Sequence, residues 1–133
     1  MEKKKLGQWM LLAVVCLSFS VGEIYAQKHE FADFKRYAKE NATLAQPVKK
    51  EKRVVFMGNS ITEGWVRTHP DFFKTNGYIG RGISGQTSYQ FLLRFREDVI
   101  NLAPALVVIN AGTNDVAENT GPYNEDYTFG NIS

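Results

Sequence analysis

Two unbroken apolar runs, Val54-Val55-Phe56-Met57 and Leu106-Val107-Val108-Ile109, do most to restrict what this chain can fold into. A strand with one face in water alternates polar and apolar residues, and neither run alternates. Such runs predict strands covered on both faces, as in a parallel sheet flanked by helices. Between them, from Thr87 to Pro104, the spacing turns helical: Leu92, Phe95, Val99 and Leu102 form one stripe, with Tyr89, Leu93 and Ile100 beside it. A weaker strand is expected around Gly77 to Arg81, where only Tyr78 and Ile79 are large and apolar and the alternation of elements makes the assignment. A short helix after Gly58 leads to the loop His69-Pro70, and Asp71 to Lys74 adds a helical turn. The order β-α-β-α-β belongs to α/β proteins, whose ligands bind beyond the carboxyl ends of the strands.

The segment ahead of the first strand divides in two. Residues 1–26 carry a basic start, Glu2-Lys3-Lys4-Lys5, then an apolar stretch from Met10 to Val21, then Ile24-Tyr25-Ala26. That stretch is about 12 residues, short of the roughly 20 that span a bilayer, so it predicts a secretory signal peptide cleaved after Ala26. The mature protein is accordingly expected in a bacterial periplasm or outside the cell, without a stable membrane anchor. Cys16 lies inside the apolar stretch after Val15, which does not suit a lipid anchor, and beyond residue 26 no cysteine remains for a disulfide. Residues 27–52 are read as an amphipathic helix over Glu30 to Leu44, carried by Phe31, Phe34, Tyr37 and Ala38, followed by a linker. Net charge is only +2, from 16 basic and 14 acidic residues, so nothing points to nucleic acid as a partner.

Three polar turns follow the three strands. The first, Gly58-Asn59-Ser60-Ile61-Thr62, puts a serine hydroxyl at the end of a buried strand. The same residues also spell a capping box, Ser60 capping the helix and Glu63 reaching back. The second, Gly80-Arg81-Gly82-Ile83-Ser84-Gly85, matches the Gly-x-Gly-x-x-Gly dinucleotide fingerprint, although an acidic residue at the end of the next strand is missing and Asn110 stands there. Its other reading is a free Gly85 N–H at a helix start, with Thr87 and Gln90 forming the helix cap. The third turn supplies the amide of Asn114. A hydroxyl nucleophile with a backbone and a side-chain donor at neighbouring strand ends is what acyl transfer needs, since the donors can meet the negative oxygen of a tetrahedral intermediate.

Phe56-Met57-Gly58-Asn59-Ser60-Ile61-Thr62, Gly82-Ile83-Ser84-Gly85-Gln86-Thr87 and Gly112-Thr113-Asn114-Asp115, in this order, resemble the first three sequence blocks of the SGNH hydrolases, the GDSL esterase and lipase superfamily. The resemblance implies a flavodoxin-like three-layer α/β/α sandwich with a parallel sheet. It implies Ser60 as nucleophile and an oxyanion hole built from the N–H of Ser60, the N–H of Gly85 and the side chain of Asn114. It further implies hydrolysis of carboxylic esters or thioesters without a cofactor or metal, the substrate being a small-molecule, glycan or lipid acyl ester.

This chain has Asn59 where the family usually has aspartate. The family's Asp-x-x-His block, which holds the general base and its orienting acid, does not occur before Ser133, and His29 and His69 are the two histidines present. Residues 53–133 are therefore expected to be a partial hydrolase domain, truncated after its third strand and nearly inert alone. Asn119-Thr120-Gly121-Pro122 reads as a turn, and Asn124 as the start of a further helix. The competing expectation is a non-catalytic or dinucleotide-binding α/β module that uses Gly80 to Gly85.

Overall fold

The computed structural model describes residues 31–133; the expected signal peptide, its cleavage point and His29 lie outside the described residues. Contacts divide the chain after Phe31, and the larger unit is Ala32–Ser133. Its elements are α1 (Lys35–Thr43), β1 (Val54–Gly58), α2 (Ser60–Thr68), α3 (Pro70–Asn76), β2 (Ile79–Gly82), α4 (Ser88–Asp98), a 3-10 turn (Ile100–Leu102), β3 (Leu106–Asn110), α5 (Thr113–Val116) and α6 (Glu125–Ile132).

The strands form one parallel sheet in the order β2-β1-β3. Gly58 pairs with Gly82 on one side and Asn110 on the other, so all three strands end level and their turns emerge at one edge. β1 lies in the middle and is buried from Val55 to Gly58, as its unbroken apolar run predicts. Period-2 geometry sends its side chains to opposite faces. Val55 and Met57 meet Phe91, Val99 and Leu102 on one face. On the other, Phe56 sits in an aromatic cluster with Trp65, Phe73 and Tyr78 at ring distances of 5.3–5.5 Å. Both faces of β1 are thus covered by helices, and the fold is α/β as expected.

Several boundaries differ from the sequence reading. The first helix is interrupted at Asp33, whose φ of 51° lies outside the helical region, so α1 begins only at Lys35. Gly77 is not in a strand: at φ 65° it closes α3 in the left-handed conformation, and β2 starts two residues later. In α4 the stripe facing the sheet runs through Phe91, Arg94 and Asp98, all buried, while Leu92 and Leu93 are exposed. Counting only apolar positions rotated the helix by about one residue, because a fully buried ion pair occupies two positions of its inner face. α4 also ends before Val99, and a 3-10 turn fills the space to Pro104. β3, expected to be covered on both faces, keeps Leu106, Val108 and Ile109 exposed, since among the described residues it pairs with β1 alone.

Candidate active site

Asn59, and not Ser60, caps α2. Its side-chain oxygen accepts the Ile61 N–H at 3.1 Å, and its backbone oxygen accepts that of Glu63 at 3.0 Å. Asn59 holds the non-helical backbone that a cap needs, and asparagine caps as well as serine does. The expected box between Ser60 and Glu63 does not form. Glu63 reaches away from its own helix, accepting the Ser84 N–H at 2.9 Å and pairing with Arg36 at 3.3 Å. Ser60, an exposed residue at the first position of α2, is left with a hydroxyl that capping does not use.

The glycines of the second turn answer to packing. A Cβ on Gly80 would overlap the Val66 side chain, and one on Gly82 would stand 2.9 Å from the Asn59 carbonyl oxygen and nearer still to the Glu63 nitrogen. Only glycine lets α2 lie this close to β2. Gly85 has φ 79°, which glycine adopts without strain. The dinucleotide spacing is therefore fully accounted for by helix contact and a turn.

The loop from Ile83 to Thr87 is held from several sides. The Asn119 amide donates to the Gly85 carbonyl at 3.0 Å, and the Asn114 amide to the Gln86 carbonyl at 2.9 Å. The Gln86 side chain donates to the Ala32 carbonyl at 2.9 Å and accepts from Arg94 at 2.6 Å. Arg94, wholly buried, also pairs with Asp98 at 2.8 Å and donates to the Gly58 carbonyl at 3.1 Å, tying α4 to the end of β1. Burial pulls its pKa down and the Asp98 carboxylate opposes that, leaving a guanidinium that stays charged. The expected cap of α4 is present, the Thr87 N–H meeting the Gln90 side chain at 2.9 Å. Asp115 adds a carboxylate at the same helix start, accepting the Ser88 N–H at 3.0 Å and its hydroxyl, where the helix dipole favours negative charge.

Of the residues singled out from sequence, Asn114 is joined to the Gly85 loop by its bond to Gln86. Ser60 emerges from the middle strand at the same edge, between the turns that carry the other two. His69 is elsewhere. It stands at the far end of α2 from Ser60, about 13 Å along the axis at a helical rise of about 1.5 Å per residue, and bonds the Thr68 hydroxyl. Asn119 was legible only as a turn former, and Gln86 and Arg94 carried no motif. The one available signal was a charged pair, Arg94 and Asp98, spaced i, i+4 on the stripe that also holds Phe91. Beside the loop, a groove of about 910 Å³ runs between α1, α2 and β2, walled by the charged Arg36, Glu40, Glu63 and Arg67, by Tyr37 and Ser84, and by the apolar Leu44, Val66, Tyr78 and Ile79. Among the described residues, no group of three or more His, Cys, Asp or Glu side chains could hold a metal, and no helix is long and apolar enough to cross a membrane.

Residues 56–131, which contain all three turns, match the GDSL-like lipase/acylhydrolase family. The chain belongs to that family. The GDSL match places it in the SGNH superfamily and extends past the third turn into α6. Among solved structures, a GDSL-like lipase from Bacteroides thetaiotaomicron is 93% identical with a TM-score of 0.76, over 77% of this chain and 50% of that one. A structure described as an acylhydrolase, from Bacteroides fragilis, is 80% identical with a TM-score of 0.75, over 76% of this chain and 49% of that one. An acetyl xylan esterase is 29% identical with a TM-score of 0.50, over 60% and 48%. The chain spans about half the length of these structures. No curated protein matches it. The family supports a hydrolase of the esterase or acylhydrolase type.

Proposed function

We propose that this chain carries the nucleophile and the oxyanion donors of a serine ester hydrolase that acts outside the cytoplasm on small acyl esters. The observation that carries the reading is the bond between the Asn114 amide and the Gln86 carbonyl, which couples the third turn to the Gly85 loop at the edge where Ser60 emerges. The Ser60 oxygen attacks the acyl carbonyl carbon, and the carbonyl electron pair moves onto oxygen. The N–H groups of Ser60 and Gly85 and the second amide hydrogen of Asn114 meet that charge. A histidine from the family's Asp-x-x-His block takes the serine proton and returns it to the departing alcohol. Water then attacks the acyl-serine by the same route and releases the acid.

The match covers only about half of each Bacteroides relative, which supports a base supplied by a segment outside these 133 residues. The substrate we favour is an acetyl or short-chain acyl ester of a carbohydrate. The likeness to an acetyl xylan esterase supports it. The test is ester hydrolysis by the protein extended to the length of its Bacteroides relatives. Acetate release from acetylated xylo-oligosaccharides, with p-nitrophenyl octanoate turned over at least about tenfold less well than the acetate ester, is the expected result. Preference for the octanoate, with no acetate released from the oligosaccharide, would overturn the carbohydrate reading.

A further inference from the structure

The Gly85 loop is tied to both of its neighbours by side chains that the proposed chemistry does not itself use. Ser84 and Gly85 are exposed, so packing does not fix them, whereas Ile83 and Gln86 on either side are buried. Glycine at φ 79° has other accessible backbone wells. Two hydrogen bonds act on this short exposed stretch. The Ser84 N–H is held by Glu63, which stands one helical turn from Ser60 on the same helix, and Arg36 steadies that carboxylate. The Gly85 carbonyl is held by Asn119, whose own backbone N–H donates to the Asn114 carbonyl at 3.1 Å. One bond runs to the helix of Ser60, the other to the turn of Asn114.

We propose that Glu63 and Asn119 are positioning residues that brace the Gly85 loop against the Ser60 helix and the Asn114 turn, setting the spacing of the three oxyanion donors. This rests on the esterase reading above. Peptide planes are rigid, so fixing the planes before Ser84 and after Gly85 confines the plane that carries the Gly85 N–H. Three donors can serve one oxygen only when each lies about 2.7–3.1 Å from it, and a misplacement of about 1 Å costs up to about a hundredfold in rate. Both braces are near the surface, where a hydrogen bond or ion pair adds little to stability. Their loss should therefore register in catalysis and loop order far more than in folding.

The test uses the full-length protein with Glu63→Ala and Asn119→Asp, the latter keeping shape while losing the donor. Glu63→Gln, which keeps an acceptor, serves as the conservative rescue, and Lys74→Ala on α3 as a distant control. Two readouts are taken: kcat and KM on p-nitrophenyl acetate, and the backbone order parameter of the Gly85 amide by NMR. We expect kcat to fall about tenfold in the two disruptive variants with KM within about twofold, partial recovery in Glu63→Gln, and no change in Lys74→Ala. The Gly85 order parameter should drop from about 0.85 towards 0.6 in the same two variants. An unchanged order parameter overturns the bracing, whatever the kinetics. A lowered order parameter with undiminished kcat overturns its catalytic role. A wild-type protein with no esterase activity refutes the esterase reading itself, and the catalytic role of the braces falls with it.

Discussion

The Asn114 side-chain amide donates to the Gln86 carbonyl oxygen across 2.9 Å, joining the turn after β3 to the turn after β2. An asparagine amide has two hydrogens, so this bond fixes the orientation of the group and leaves the second N–H for another acceptor. If that acceptor is the substrate oxyanion, Asn114→Asp removes both the anchor and the donor while keeping the shape. Expected is a fall in kcat of about 10²–10³ in the full-length protein, with a much smaller change in KM. Steady-state kinetics on p-nitrophenyl acetate check it, and a loss below about threefold would exclude Asn114 from the oxyanion hole.

Gly82 and Gly64 should respond in opposite directions to alanine. A Cβ on Gly82 drives into the Asn59–Glu63 backbone, so Gly82→Ala should cost about 1–3 kcal/mol and displace the Ser60 turn. Gly64 lies in the middle of α2 with nothing within 4 Å of the added carbon, and Gly64→Ala should stabilise by about 0.5–1 kcal/mol. Urea unfolding of the two variants separates these outcomes. A tolerated Gly82→Ala would undo the packing account of the glycine-rich turn and revive a ligand-binding one.

Tyr37 makes folding sensitive to alkaline pH. Its ring is buried with the Arg36 and Arg81 guanidinium groups at 4.8 and 4.7 Å, and its hydroxyl donates to the Gly82 carbonyl. Burial raises the pKa of the phenol, against the opposing pull of Arg36. The folded state then keeps a proton that the unfolded chain loses near pH 10, so this stability is complete below about pH 10 and is lost as pH rises through the folded value. Tyr37→Phe lacks both the bond and the titration. Its deficit in thermal midpoint against the wild type, full at about pH 8, should shrink as pH rises above about 10. A deficit that stays constant or widens would contradict the assignment.

The order of elements was legible in the sequence because Val54 to Met57 and Leu106 to Ile109 are unbroken apolar runs, and the turns that carry Ser60 and Asn114 follow strand ends that lie level at one edge of the sheet. What was not legible depended on tertiary partners. The inner face of α4 was misjudged because Arg94 and Asp98 are buried as a pair, and a pair's net environment cannot be read from either residue alone. Ser60 was credited with a capping role that Asn59 performs, since both have cap-competent side chains and only backbone geometry separates them. Asn119 looked like a turn former because its bond to Gly85 spans 34 residues of sequence. The Gly-x-Gly-x-x-Gly spacing was a true constraint on the backbone, set at Gly80 and Gly82 by contact with α2 and at Gly85 by a turn with φ 79°.

The central claim is that Ser60 is a nucleophile served by a base from outside these 133 residues, and one comparison tests it most directly. The protein extended to the length of its Bacteroides relatives is assayed on p-nitrophenyl acetate as wild type and as Ser60→Ala, with His69→Ala alongside. The account predicts turnover by the wild type, loss of at least about 10⁴-fold in Ser60→Ala, and no loss in His69→Ala. Ser60→Ala retaining wild-type turnover, or His69→Ala abolishing it, would contradict the account.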